Sequence, residues 1–375
     1  MKYKIILTLF VIISQCLSAT EQTWLNTIDG SLRFGYQHGA EGTEDVALGG
    51  KIHLQTNPWQ GISAGASVYT TNAIGSHEGA GIVFFDSQND SYSRLGEVYL
   101  EMKQGKTGVK IGRQQIDTPY ADTDDNGMIL NRFEGAILTN HDIDNFLLTA
   151  AYMTKMAGVD AALPETFTDI GMDKGMLMAG ISYEGVENMV LQGWIYDIKE
   201  SIGDSIFTYA DAVYAADIEN HVSYEIAVQY TTQETFAGDS TVYGVSGSLN
   251  IAPIGVTLLG AYNQVDGTVA SNGFGGGPFY TSSEHLTLTE GGDNAKAFYL
   301  SGEFDAGVVG MEGLTFLGGY FKMDSAAHTS AKELDYVVSY AASDRWSFDL
   351  FFSDIKDKIN HETYQNTRFF VNYLF

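Results

Sequence analysis

The stretch Val222-Ser223-Tyr224-Glu225-Ile226-Ala227-Val228-Gln229-Tyr230-Thr231 alternates between apolar and mainly polar side chains. In a β-strand, successive side chains point to opposite faces, so this segment would have one apolar face and one polar face. The same alternation recurs around residues 32–37, 46–55 and 346–353. An amphipathic helix would repeat every 3.6 residues instead, so the sequence predicts an all-β protein.

About eighteen segments of roughly ten residues carry this pattern, which is typical of a transmembrane antiparallel β-barrel with up-and-down connections. The predicted strands are 27–38, 44–55, 61–72, 93–104, 107–114, 131–139, 145–155, 175–184, 188–199, 206–216, 222–233, 239–249, 253–264, 295–305, 312–323, 330–340, 345–357 and 364–375. For the strands at 188–199 and 206–216, the sequence does not show which set of side chains points outward. The uncharged stretch 240–265 contains Pro253 and Gly255, so two strands joined by a turn fit it better than one membrane helix.

The lengths of the predicted connections alternate along the chain. Short turns fall at 57–60, 105–106, 140–144, 185–187, 217–221 and 341–344, and long loops at 71–92, 115–130, 156–174 and 264–294. Outer-membrane barrels have short periplasmic turns and longer outer loops, whereas a β-sandwich has no reason to sort its connections in this way. The alternation therefore favours the barrel.

The two ends of the chain predict its destination. Lys2 and Lys4 precede the apolar run 5–13 and small residues, which is the layout of a secretion signal. We expect residues 1–18 to be a cleaved signal peptide and 19–375 to be the barrel, with a cut after Ala19 nearly as good. At the other end the apolar residues alternate up to Phe375, as in the terminal strand that the outer-membrane insertion machinery reads. We therefore expect a multi-pass protein of the Gram-negative outer membrane, exported through the periplasm.

The charge balance and the reactive residues restrict the function classes. The formal charge is −27, and −29 without Lys2 and Lys4, so nucleic acid is a poor partner. Cys16 is the only cysteine and lies in the predicted signal; it follows Gln15, which argues against lipidation there. The eight histidines are scattered, and no sequence signature places a nucleophile beside a base. We expect no enzyme activity.

Charged side chains between outward apolar positions should point into the lumen, because a charge facing the bilayer centre costs about 2–4 kcal/mol. This rule predicts two groups of pore-lining residues, basic and acidic. The basic group is Arg33, Lys51, Lys110, Arg132 and Arg368, and the acidic group is Glu97, Glu101, Glu134 and Glu225. Arg113 falls in phase with the outward residues Val109 and Ile111; either it lies at the rim or a bulge turns it inward, and we favour the bulge.

Three neighbouring segments carry a distinctive set of motifs. Arg94-Leu95-Gly96-Glu97 is followed by Gly112-Arg113-Gln114, then Thr118-Pro119, then Asn131-Arg132-Phe133-Glu134-Gly135. This order resembles the OprD-like family of outer-membrane porins over residues 93–136. The resemblance implies an 18-stranded channel for small solutes, monomeric or trimeric, in which a ladder of basic residues faces a constricting third outer loop.

Transferred to this chain, the resemblance implies that Arg113 and Arg132 belong to the ladder and that loop 115–130, which begins near Asp117, forms the constriction. Six arginines in all and a short third loop depart from the substrate-selective members of the family. We therefore expect a general channel for ions and small polar solutes, with a preference for cations.

The constriction loop contains Asp122-Thr123-Asp124-Asp125-Asn126-Gly127, which matches the opening of a calcium-binding loop. The twelfth position is Phe133 rather than Glu, so an EF-hand is excluded. Two interpretations remain: a different Ca²⁺ or cation site that uses Asp122, Asp124 and Asn126, or a solvated acidic loop.

Two other functions also remain open for the whole chain. One is a surface or adhesive barrel that binds a partner through its long loops, and the other is a barrel hydrolase. The expected partners of a porin are outer-membrane lipid, the insertion machinery, small hydrophilic solutes and ions, with a homotrimer as a further possibility.

Overall fold

The computed structural model describes residues 24–171, 174–199, 203–218, 221–327 and 329–375. The predicted signal peptide, 1–18, lies outside the described residues. The strands, numbered in chain order, are β1 Leu25–His38, β2 Glu44–Thr56, β3 Ile62–His77, β4 Tyr92–Gln104, β5 Thr107–Gln114, β6 Arg132–Asn140, β7 Phe146–Ala157, β8 Thr168–Asp169, β9 Met176–Val186, β10 Met189–Ile198, β11 Ser205–Ile218, β12 Val222–Thr235, β13 Gly238–Ile251, β14 Val256–Gly267, β15 Lys296–Asp305, β16 Leu314–Asp324, β17 Ser330–Ala341, β18 Trp346–Asp357 and β19 Glu362–Leu374.

The strands form one closed antiparallel sheet. Each long strand pairs with its sequence neighbours, and β1 closes the barrel by pairing with β19, with Phe34 opposite Val371. The two-residue strand β8 pairs only with the end of β7, and β7 pairs directly with β9. Eighteen long strands and one short extra strand confirm the predicted fold. Within the described residues, no helix is long and apolar enough to span a membrane.

The outer face of the barrel is apolar because each strand alternates. Leu100, Leu300 and Tyr336 are 59%, 53% and 55% exposed, although they are large hydrophobic residues. Aromatic side chains lie near both ends of this face, for example Phe298 with Tyr320 at one end and Trp346 with Tyr373 at the other. An outward apolar surface between two aromatic belts matches the hydrocarbon region of a bilayer.

The connections sort by barrel end, as predicted, but not strictly by length. Turns such as 105–106 and 342–345 lie at the end where β1 begins and β19 ends, and the long loops lie at the opposite, outer end. Some outer connections, for example 236–237 and 358–361, are nevertheless as short as the turns. Strand β3 also continues to His77, so the second outer loop is shorter than predicted.

The interior is packed rather than empty at the outer end. A cluster of buried residues includes Tyr120, Phe133, Tyr196, Phe279 and Phe321, which come from the walls and from two long loops. The core of this protein therefore lies inside the barrel, where the loops enter the lumen.

Candidate functional site

Loop 115–131, between β5 and β6, crosses the lumen from wall to wall. On one side Arg33 of β1 donates to Asp125 Oδ1 at 2.5 Å and to the Gly127 carbonyl at 2.7 Å. On the other side the Tyr120 hydroxyl lies 2.6 Å from Thr231 Oγ1 of β12. This confirms the predicted inward course of the third outer loop.

Tyr120 is the anchor on the second side. Gln233 Nε2 donates to its hydroxyl at 2.9 Å, and its ring makes edge contacts with Tyr196 and Phe207 at centroid distances of 5.5 and 5.1 Å. Tyr120 is 1% exposed, so its hydroxyl needs these partners inside the protein. Its burial raises the pKa of the phenol to about 12.

A second loop, 268–295 between β14 and β15, also folds into the barrel. Gln229 Nε2 donates to the Pro278 carbonyl at 2.8 Å, and Thr281 N donates to Asn263 Oδ1 at 3.0 Å. Further along, Glu333 of β17 accepts hydrogen bonds from His285 N and Leu286 N. Wall side chains therefore fix the backbone of this loop inside the barrel.

The two loops are joined inside the lumen. Phe274 N donates to the Tyr120 carbonyl at 2.8 Å, and Asp122 N donates to the Phe274 carbonyl at 3.2 Å. Asp122 Oδ1 also accepts from Gly276 N at 3.2 Å. The loops thus form one constricting body inside the barrel.

A cavity of about 430 Å³ lies on the inner side of the constriction loop. Its charged lining consists of Arg33, Lys51, Asp125, Arg132, Asp344, Arg345 and Asp349. Tyr69, Met128 and Leu130 supply part of the apolar lining. A solute that passes here meets a basic wall on β1, β2 and β6 and an acidic loop opposite it.

Arg132 and Glu97 form the most buried charged group of the site. Arg132 Nε lies 3.6 Å from Glu97 Oε1, and the two side chains are 1% and 7% exposed. The Tyr69 hydroxyl lies between them, accepting from Arg132 Nη2 and donating to Glu97 at 3.2 Å. Ser67 donates a second hydrogen bond to Glu97.

Gly96 makes this arrangement possible. A Cβ at this position would lie 2.5 Å from Cδ2 of the Tyr69 ring. The register of β3 and β4 shifts between Ser67 and Val68, so Gly96 and Glu97 share the inner face at a bulge. In the Arg94-Leu95-Gly96-Glu97 motif, Gly96 thus provides the bulge and the space for the Tyr69 ring, and Glu97 provides the carboxylate.

Two further lumen arginines in contact with the constricting loops are also paired with acids. Arg368 of β19 donates to Glu284 of the second loop and to the Asn126 carbonyl of the first. Arg33 is paired with Asp125. Arg94, which was not predicted as a site residue, instead donates to the carbonyls of Pro164 and Leu130 at the outer end of the lumen.

The remaining predicted wall residues lie nearer the inner end of the lumen. Lys110 Nζ lies 3.8 Å from the centre of the Tyr99 ring, a cation–π contact. Glu101 Oε1 lies 3.1 Å from Lys103 Nζ. Glu225 is exposed to the lumen of the inner half, and Asp117 is exposed at the start of the constriction loop, where it accepts from Thr123 N at 3.3 Å.

Arg113 and Glu134 do not line the pore. The pairing of β4 with β5 continues without a shift to Arg113, which stands opposite the exposed Val98, so no bulge turns Arg113 inward. Their sequence neighbours Gln114 and Phe133 are fully buried inside. Arg113 Nε donates to Glu134 Oε2 at 2.8 Å on the outward face, and this ion pair is what allows both charges to face away from the lumen.

Asp122, Asp124 and Asn126 lie on the constriction loop but use much of their bonding capacity within the protein. Asn126 Nδ2 donates to Asp124 Oδ2 at 3.0 Å. Among the described residues, no group of three or more His, Cys, Asp or Glu side chains is placed to hold a metal ion. Burial, followed by the charges of Asp160 and Asp122, raises the pKa of Asp124 to about 7. Burial likewise raises the pKa of Asp122 and Asp160.

Sequence reasoning missed Tyr69, which bridges Arg132 and Glu97, and the residues that hold the loops, namely Tyr120, Gln229, Gln233 and Glu284. Gln229 lies in the segment that first indicated the fold, and Gln233 lies on the same inward face of β12 just beyond it. Their polarity suits a lumen wall, but nothing local in the sequence shows which loop they bind.

A model of outer membrane porins of the OprD family matches residues 75–374. The chain belongs to this family. No curated protein sequence matches it. Among solved structures, OpdK of Pseudomonas aeruginosa, determined with vanillate, superposes with a TM-score of 0.80 at 16% identity, over 93% of this chain and 98% of that one.

Two further porins have the same fold. OccK8 (OprE) of Pseudomonas aeruginosa gives a TM-score of 0.78 at 14% identity, over 93% of this chain and 97% of that one. OccAB2 of Acinetobacter baumannii gives 0.77 at 18% identity, over 94% of this chain and 98% of that one. This OprD-family porin is therefore an outer-membrane channel for small solutes.

Proposed function

We propose that this porin is a passive, cation-preferring channel whose narrowest part is set by loop 115–130. The observation that carries the proposal is the pairing of the arginines around the constriction. Arg33, Arg132 and Arg368 each face a carboxylate, from Asp125, Glu97 and Glu284 respectively. Their charges are thereby largely neutralised for a passing ion.

Acidic groups remain available to passing ions. Glu225 is exposed to the lumen, and Asp349 lines the cavity beside the constriction. A low-dielectric pore concentrates the ion whose charge is opposite to that of its wall. With the chain carrying −27 in total, the field in the lumen should attract cations.

The carboxylates of Asp122 and Asp124 serve this same preference in our proposal. We assign them a transient interaction with cations that pass the constriction rather than a permanently bound Ca²⁺. Their internal hydrogen bonds to Gly276 N and Asn126 Nδ2 support this assignment, because those contacts occupy oxygen lone pairs that a stable Ca²⁺ site would need.

The remaining proposals concern partners and chemistry. We propose that Phe375 and the last strand are read by the insertion machinery, that the mature barrel carries no hydrolase activity, and that it is able to assemble as a homotrimer. A heat-resistant band at three times the barrel mass after mild detergent extraction would support the trimer.

The selectivity is tested by the reversal potential of single channels in a planar bilayer under a KCl gradient. We expect a potential of the sign that indicates K⁺ preference, and we expect Glu225→Gln to reduce it. The matched control is Glu187→Gln, which lies in a turn outside the lumen and should leave the potential unchanged. A preference for Cl⁻ would contradict the proposal that acidic groups set the ion preference. The absence of any conductance from a correctly folded barrel would contradict the channel function itself.

A further inference from the structure

The outer end of the barrel carries a row of lysines that the channel does not use. Lys322 of β16 stands directly opposite Lys332 of β17, and Lys332 stands directly opposite Lys356 of β18. Lys296 of β15, opposite Asp324, extends the row by one strand. Four of the chain's 20 basic residues thus lie side by side on four adjacent strands, although the chain has 47 acidic residues.

These lysines face away from the lumen. Lys322 lies between Phe321 and Met323, each of which is fully buried inside the barrel, and side chains alternate along a strand. Lys332 lies in the same way between Ala331 and Glu333, and Lys356 between Ile355 and Asp357. The row is therefore on the face that the barrel presents to the membrane.

The height of the row matches a bilayer surface. Just below it on the outward face lie two aromatic pairs, Phe298 with Tyr320 and Tyr336 with Phe352. Lys332 is separated by eight residues, or about 27 Å along the strand, from Tyr340, which belongs to the inner aromatic belt. With the usual tilt of about 40°, this length spans most of the apolar band of a barrel, about 25 Å tall.

The row is unfavourable without an anion. Directly opposite residues in an antiparallel sheet have Cβ atoms about 5 Å apart, and like charges in such pairs destabilise the sheet. Asp324 and Asp354 lie 2.6 and 2.8 Å from Lys322 and Lys356, so these two acids offset part of the charge. Among the described residues, no acidic group lies within 4 Å of the central Lys332.

We propose that this lysine row binds the phosphate groups of the phosphorylated glycolipid that forms the outer leaflet. The acyl chains of that lipid would lie on the apolar face below the aromatic pairs, and its phosphates would lie at the level of the ammonium groups. Lysine is a point charge on a long flexible stem and suits such a contact. The site faces the lipid, so it acts independently of the ion preference of the channel.

The test measures binding of bisphosphorylated lipid A to the detergent-solubilised barrel, by native mass spectrometry and by the shift of its heat-unfolding midpoint. The variant is K322Q/K332Q/K356Q, and the matched control is K103Q/K106Q at the opposite barrel end. Because each lysine near an anionic surface contributes about fivefold, we expect the triple variant to bind on the order of 100-fold more weakly. The corresponding triple arginine variant should retain binding.

Each outcome decides the proposal. A loss of binding in the triple variant, with the control and the arginine variant unaffected, supports it. Equal binding of lipid A by the triple variant and the wild type would overturn it, as would equal binding of lipid A from which both phosphates have been removed. Full competition by inorganic phosphate at equal phosphate concentration would also overturn it, because the site would then take free phosphate. Folding of every variant is checked by its heat-dependent mobility in gels.

Discussion

Several charged side chains inside this barrel are buried and held by partner side chains. Arg132 is the clearest example, since Glu97 and the Tyr69 hydroxyl surround it and almost none of its surface is exposed. Removing one member of a buried ion pair leaves the other charge uncompensated, which costs far more than the pair contributes. The predictions at this scale therefore concern single substitutions of buried acids and bases.

Arg132→Met should lower the free energy of unfolding by about 3–5 kcal/mol, because it leaves Glu97 buried without its cation. Urea-induced unfolding in detergent or lipid vesicles measures the change. The double variant Arg132→Met with Glu97→Gln should recover much of the loss. If the double variant is no more stable than the single one, the two side chains do not act as a pair.

Asp124 should make the ion preference depend on pH near neutrality. Its pKa is raised to about 7, so the carboxyl is mainly neutral below this value and negatively charged above it. The cation preference, measured by the reversal potential, should therefore increase between about pH 6 and pH 8. Asp124→Asn should remove this dependence, whereas Asp144→Asn in a turn at the other barrel end should preserve it. A wild-type potential that is constant over this range would refute the assignment.

At the scale of elements, the constriction depends on how a loop without regular structure is fastened to strands. Loop 115–131 is tied to β1 by Arg33 and to β12 by Tyr120, and its backbone pairs with loop 268–295. Each fastening point uses a side chain from the inward face of a strand. Loss of a single anchor on one wall should therefore change the position of the loop.

Tyr120→Ala should loosen the constriction and raise the single-channel conductance, because the ring and hydroxyl contacts with β10, β11 and β12 are lost together. Tyr120→Phe, which keeps the ring contacts and loses only the hydrogen bonds, should have a smaller effect. Conductance in 1 M KCl, with heat-dependent gel mobility as the check of folding, distinguishes them. Equal conductance of all three proteins would show that Tyr120 does not hold the loop.

At the scale of the whole molecule, the two inward loops are joined into one body, and we expect the solute path to run beside them. Ala121 and Phe274 are partners in a parallel bridge, so their backbones are close enough for a disulfide in the variant Ala121→Cys with Phe274→Cys. We expect the oxidised and reduced forms of this variant to conduct equally, because the link only fixes an existing contact. Blocked conductance after oxidation would instead place the path between the loops.

The sequence by itself determined the strands and most of the wall. Side-chain alternation is a local property of extended backbone, so the eighteen long strands could be located to within a few residues. The lumen positions of Arg33, Lys51, Glu97, Lys110 and Arg368 followed from the same alternation. The motifs at 93–136 also gave the resemblance to the OprD-like family, and the family model that matches residues 75–374 confirms it.

The tertiary structure alone decided the course of loop 268–295 and the outward ion pair. Loop 268–295 turns inward because distant strands offer it Asn263, Gln229 and Glu333 as hydrogen-bond partners, and no local pattern encodes partners that are far apart in sequence. Arg113 keeps its outward position because Glu134 of the next strand neutralises it. Alternation fixes which face a side chain takes, whereas long-range contacts fix what that side chain meets there.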